Sequence, residues 1–119
     1  MEQSEEVLDM DVIQALKELG GDGDASLFQE LLALYVDDST QQLERLGEAL
    51  SRNDLKVAER IAHTLKSSSA NLGAMTMSRL CLQMEQCGRE QRLADMGALL
   101  EPARAAHRRA VAALNALRG

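Results

Sequence analysis

From Phe28 to Leu50 the positions Phe28, Leu32, Tyr35, Ser39, Leu43, Leu46 and Leu50 step by four and three, and all but Ser39 are apolar. That spacing lays one continuous stripe along about six helical turns and cannot serve a strand, whose side chains alternate with a period of two. A helix this long with one apolar face has to be covered by other elements. The chain offers little but helices to cover it. Leu occurs 20 times and Ala 17 times, against 5 Val and 2 Ile, and the only aromatics are Phe28 and Tyr35. Strong helix formers dominate and strand formers are scarce, so the fold class expected is all-α. A length of 119 residues leaves room for one domain.

The same periodicity and its punctuation mark four further segments. A short helix over about 9–19 has Asp9 or Asp11 as its cap, Val12, Leu16 and Leu19 as its apolar positions, and a stop at Gly20-Gly21-Asp22-Gly23. It is expected to lie as a lid on the rest. The first half of the long helix, about 26–51, adds Leu27, Leu31 and Leu34 on an adjacent stripe, so burial on two sides is expected there, beneath the short helix. Asn53 or Asp54 caps the next helix, about 54–72, whose inward stripe is Leu55, Ala58, Ile61, Ala62, Leu65, Ser69 and Leu72. Serines compete for backbone hydrogen bonds, but the stripe runs through Ser67-Ser68-Ser69 and keeps them helical. A helix over about 75–88 is expected to bury Met77, Leu80, Cys81, Met84 and Cys87, and another over about 92–117 has Pro102 inside its pattern. Proline cannot donate and clashes with the preceding turn, so that helix must kink or restart near Leu99 to Glu101. Short loops between the last four helices make an antiparallel up-down-up-down bundle with a short leading helix.

A net charge of −6 argues against a nucleic-acid partner, which would require a basic face. The acidic start lacks the regions of a signal peptide and no apolar run reaches the roughly 18 residues of a membrane span, so a cytoplasmic protein without a membrane partner is expected. Eight acids fall between Met1 and Asp24 and four arginines, with no acid, between Pro102 and Gly119; solvated helix faces account for both runs. Cys81 and Cys87, six residues apart on one helix and about 9 Å along its axis, are out of disulfide reach and read as buried thiols.

No phosphate-binding loop, dinucleotide turn, metal-ligand spacing or Ser-His-Asp set is present, so an autonomous enzyme is not expected and no cofactor is assigned. Chemistry is left to two histidines. His107 falls about 40° from the centre of its apolar stripe and suits core packing or a half-buried hydrogen bond. His63 falls about 140° from the centre of its own, and so faces outward. Lys56, Arg60 and Lys66 share its side of the helix, while Ser67 and Ala70 are small. A neutral imidazole is a competent nucleophile toward a phosphoryl group, nearby cations offset the charge that arrives, and small neighbours let a partner close in. An ordinary surface histidine on a mixed-charge helix fits the same projection.

The run Ala62-His63-Thr64-Leu65-Lys66-Ser67-Ser68-Ser69-Ala70-Asn71-Leu72-Gly73-Ala74 resembles the signature of histidine-containing phosphotransfer (HPt) domains, and Leu80, Cys81, Glu85, Gly88 and Arg89 also resemble that family's pattern. The resemblance implies a four-helix bundle with a leading helix, His63 as phosphoryl acceptor and donor, and Lys66 offsetting phosphoryl charge. It implies receiver domains of hybrid kinases and response regulators as partners, with Mg²⁺ held by the receiver, and a monomeric carrier without its own nucleotide site. Lys56, Arg60, Ser67, Ala70, Glu85 and Arg89 form the expected docking set. One departure matters: Ser67 stands where the family usually has glycine, so docking is expected to survive but to be looser or more selective. Glu85 occupies a position where some members place Gln, and its carboxylate either orients the His63 ring or raises its pKa. The competing reading is a helical adaptor that binds through the His63, Ser67 and Ala70 face without chemistry; a buried metal enzyme is a distant third.

Overall fold

A computed structural model describes residues 7–19 and 26–118. The described residues form six helices and no strand: α1 (Met10–Leu19), α2 (Ser26–Ser51), α3 (Leu55–Asn71), α4 (Met75–Arg89), α5 (Leu93–Ala98) and α6 (Leu100–Leu117). The expected glycine-rich stop after α1 lies outside the described residues. Helices α2, α3, α4 and α6 run alternately up and down around a core whose most enclosed large side chains include Leu32, Leu46, Leu65, Met77, Met84, Met96 and Leu114.

Each turn between bundle helices is closed by the same backbone device. The N–H two residues past the cap reaches back to the third-last helical carbonyl: Asp54 to Ala49, Ala74 to Ser69 and Arg92 to Cys87, each at 2.8 Å. The motif needs a left-handed residue between them, supplied by Asn53 (φ 59°), Gly73 (φ 78°) and Gln91 (φ 60°). Asp54 then caps α3, its carboxylate accepting from Val57 N at 3.3 Å. The last two helices divide at Leu99, and Pro102 sits in the first turn of α6, where a missing N–H leaves no bond unmade.

The leading helix departs from its expected place. Ile13, rather than Leu19, is its fully buried residue, and Leu19 is exposed. It is tied instead to the α3–α4 turn, Asp9 N donating to Gly73 O at 2.8 Å. A Cβ at Gly73 would come 3.0 Å from Asp9 O, so glycine is required there by contact as well as by φ. With α1 so placed, Leu34 is 64% exposed and Leu27 37% exposed, while Leu31 is half-buried. The second stripe expected beneath α1 is therefore largely uncovered. Leu80 also lies at the edge of the core rather than in it.

Two polar pairs cross the apolar interior. Tyr35 Oη and Ser69 Oγ share a hydrogen bond of 2.7 Å between α2 and α3, and Ser39 Oγ and His107 Nε2 share one of 2.8 Å between α2 and α6. All four residues are buried, so His107 takes the inward place its helix position predicts. Burial pushes the Tyr35 hydroxyl up and the His107 imidazole below its ordinary value. Cys81 and Cys87 are free and buried, and burial pushes the Cys81 thiol up to about 12.

Candidate functional site

His63 stands on α3 with its side chain 60% exposed, as its position opposite the apolar stripe predicts. Its orientation is set from α4. Gly88 lets α4 approach α3 so closely that a Cβ there would lie 2.8 Å from Glu59 Cβ and 3.3 Å from Glu59 Cα. Ser78 Oγ donates to Lys66 O at 2.9 Å, which ties the two helices together two turns away. Between these two fastenings, Glu85 projects from α4 beneath the His63 ring.

The Glu85 side chain is only 6% exposed, and its two oxygens are fully engaged. Oε1 accepts from Lys66 Nζ at 2.8 Å. Oε2 accepts from His63 Nδ1 at 2.8 Å and from Arg89 Nη2 at 3.2 Å. Burial alone pushes the Glu85 carboxyl up, but hydrogen bonds from Lys66 and His63 and the charge on each outweigh it and hold the group below the usual carboxylate range. An ionised carboxylate can only accept, so the His63 proton resides on Nδ1. Nε2, across the ring, is then the nitrogen with a free electron pair.

This arrangement redistributes the residues expected around His63. Lys56 and Arg60 are exposed and, with Glu59, His63 and Glu85, line a shallow concavity of about 360 Å³. Lys66 does not share it: its side chain is 28% exposed and rests on Glu85. Ser67 is exposed and Ala70 half-buried. Glu85, expected among the docking residues, is buried at the floor of that concavity and turned toward His63 and Lys66. Arg89 is exposed but its guanidinium is likewise committed, to Glu85 and, at 4.0 Å, to Glu59 Oε2. Helix projection of α4 carried the signal: with Cys81 at 0°, Glu85 falls at about 40°, inside the buried arc. Among the described residues no three His, Cys, Asp or Glu side chains are grouped to hold a metal ion, and no helix is long and apolar enough to cross a membrane.

Residues 30–118 match the family model described as the Hpt domain. The chain is 29% identical over 80 residues to histidine-containing phosphotransfer protein 2 of Arabidopsis thaliana, covering 65% of this chain and 51% of that protein. It is 28% identical over 86 residues to multistep phosphorelay regulator 1 of Schizosaccharomyces pombe, covering 72% of this chain and 29% of that protein. The chain thus spans about half or less of the length of these relatives. The crystal structure of histidine-containing phosphotransfer protein B from Pseudomonas aeruginosa PAO1 is similar throughout, with a TM-score of 0.89 at 27% identity, covering 97% of this chain and 96% of that one.

Proposed function

The chain belongs to the Hpt domain family, and from that premise we infer that it relays a phosphoryl group between receiver-domain aspartates, with His63 as the carrier. The observation that carries this reading is the 2.8 Å contact between His63 Nδ1 and the Glu85 carboxylate: an ionised carboxylate there calls for Nδ1–H, so Nε2 presents its electron pair at an exposed ring. Nε2 attacks the phosphorus of an aspartyl phosphate; the P–N bond forms, the P–O bond breaks, and the aspartate leaves as a carboxylate. The ring keeps its Nδ1 proton throughout, and Glu85 offsets the positive charge that develops there. Onward transfer reverses the step, and neutral imidazole is the leaving group.

The chain itself supplies position and charge rather than catalysis of its own. Lys56 and Arg60 border the concavity on one side of His63 and suit an acidic active-site rim, where the receiver is expected to hold Mg²⁺. Ser67 and Ala70 supply a low surface for the partner to close upon, and Lys66 offsets phosphoryl charge. The carrier is read as a cytoplasmic monomer.

Incubation with phosphorylated receivers provides the test. An acid-labile, alkali-stable label should appear on the protein and vanish in His63→Gln, with helix content unchanged because an exposed site contributes little to stability. Receiver binding without any label would favour a helical adaptor instead.

A further inference from the structure

Glu85 is bound by more cations than the tautomer requires. A single buried carboxylate meets Lys66 at one oxygen and Arg89 at the other, besides the His63 ring. The two cations are held differently. Lys66 is a compact charge on a flexible stem, three residues from His63 on the same helix, with its ammonium on Glu85 Oε1. Arg89 is a planar guanidinium four residues from Glu85 on α4, with Nη2 on Glu85 and Nε toward Glu59 on α3. Its charge cannot be lost by deprotonation.

A phosphoryl group on Nε2 adds nearly two negative charges to the ring that Glu85 touches. Lys66 can turn outward to those oxygens, and when it does Glu85 Oε1 loses its partner. A buried carboxylate beside a new anion then takes up a proton unless another cation stays with it. We propose that Arg89 is a positioning residue, the fixed counter-cation that keeps Glu85 ionised and the His63 Nδ1–H bonded while Lys66 turns to the phosphoryl group. This rests on the reading of His63 as carrier. It assigns the two cations separate duties, one exchangeable and one permanent, and it removes Arg89 from the docking set in which its exposure would place it.

Phosphoramidate, a small P–N donor, loads the protein without a receiver and so separates the two inferences. Label that survives His63→Gln overturns the carrier reading, and this proposal with it. With label on His63, ¹⁵N spectra of the ring and single-turnover transfer to a receiver are compared for the parent, Arg89→Gln, Arg89→Lys and Lys66→Gln across pH. Arg89→Gln should keep the Nδ1–H bond to Glu85 in the unphosphorylated protein, where Lys66 still balances Glu85, and lose that bond after phosphorylation, when Glu85 takes a proton from solvent while the ring keeps its own. Its transfer rate within the complex should fall about tenfold near neutral pH, the scale of one lost charge-assisted hydrogen bond, and recover as pH rises and Glu85 ionises again. Arg89→Lys should restore the parent profile. Lys66→Gln should keep the Nδ1–H bond to Glu85 in both states. The proposal is overturned if Arg89→Gln weakens receiver binding but leaves transfer and its pH profile at parent values, since Arg89 is then a docking contact. It is also overturned if the Nδ1–H bond to Glu85 is already lost before phosphorylation.

Discussion

Gly88→Ala separates stability from function at this site. Alanine is the better helix former by about 1 kcal/mol, so on propensity alone the variant should gain. The new Cβ, however, would lie 2.8 Å from Glu59 Cβ and 3.3 Å from Glu59 Cα, against an optimum of about 3.5 to 4.0 Å for carbon pairs. Glu59 Cα is backbone and Glu59 Cβ the root of a side chain, so the helices themselves must part by several tenths of an ångström. Overpacking of this kind costs about 1 to 3 kcal/mol, and the net loss after the propensity gain is about 0 to 2 kcal/mol. The bundle should therefore fold. The hydrogen bond between His63 Nδ1 and Glu85, now 2.8 Å and one turn from the clash, should stretch beyond useful length. Transfer should slow roughly tenfold, a charge-assisted bond being lost. Urea denaturation, ¹⁵N tautomer spectra and single-turnover transfer read the three quantities. A variant stabilised by the whole propensity increment, with the ring still fixed as Nδ1–H, would show that the close approach does not set the site.

Three further outcomes are expected. Because burial holds His107 below its ordinary value near 6.5, the unfolded chain takes up a proton that the folded one refuses as pH falls below that point. Stability should thus fall with decreasing pH by up to about 1.4 kcal/mol per unit until the folded pKa is reached, and His107→Gln should flatten that slope in denaturation series from pH 7 to 5. Gln91→Gly should raise stability by about 0.5 to 1 kcal/mol in urea denaturation, since a left-handed conformation costs a side-chain-bearing residue about 1 to 2 kcal/mol and part of the gain is returned as unfolded-chain entropy. Lys56→Ala and Arg60→Ala should slow association with a receiver and flatten its salt dependence in stopped-flow measurements, while transfer inside the complex stays near the parent rate.

Helical periodicity carried the fold class and the outward placement of His63, because both depend only on where a residue falls around its own helix. The serine run of α3 followed for the same reason, with Ser69 turned inward onto Tyr35. What periodicity cannot supply is the neighbour. Leu27, Leu31 and Leu34 form a genuine stripe, but α1 is fastened to Gly73 and leaves two of the three exposed. Lys66 lies three residues after His63 on the same helix, yet its attachment to Glu85 depends on how near α4 lies, which Gly88 decides from another helix. Two of the three left-handed turn residues are not glycine, so the shared geometry of those turns left only a faint trace in residue type.

The two polar pairs in the core bear on how a bundle made mainly of Leu, Ala and Met finds one arrangement. Such side chains are interchangeable enough that neighbouring helices can slide or rotate against one another with little change in apolar contact. Tyr35 with Ser69 and Ser39 with His107 act as a two-tooth key cut into α2, each tooth admitted by one lock, in α3 or in α6. A shift of α2 by a single turn would strand four buried polar groups, each at a cost of about 1 to 3 kcal/mol. Misaligned bundles are thereby excluded even where their oil-like contacts would be nearly as good.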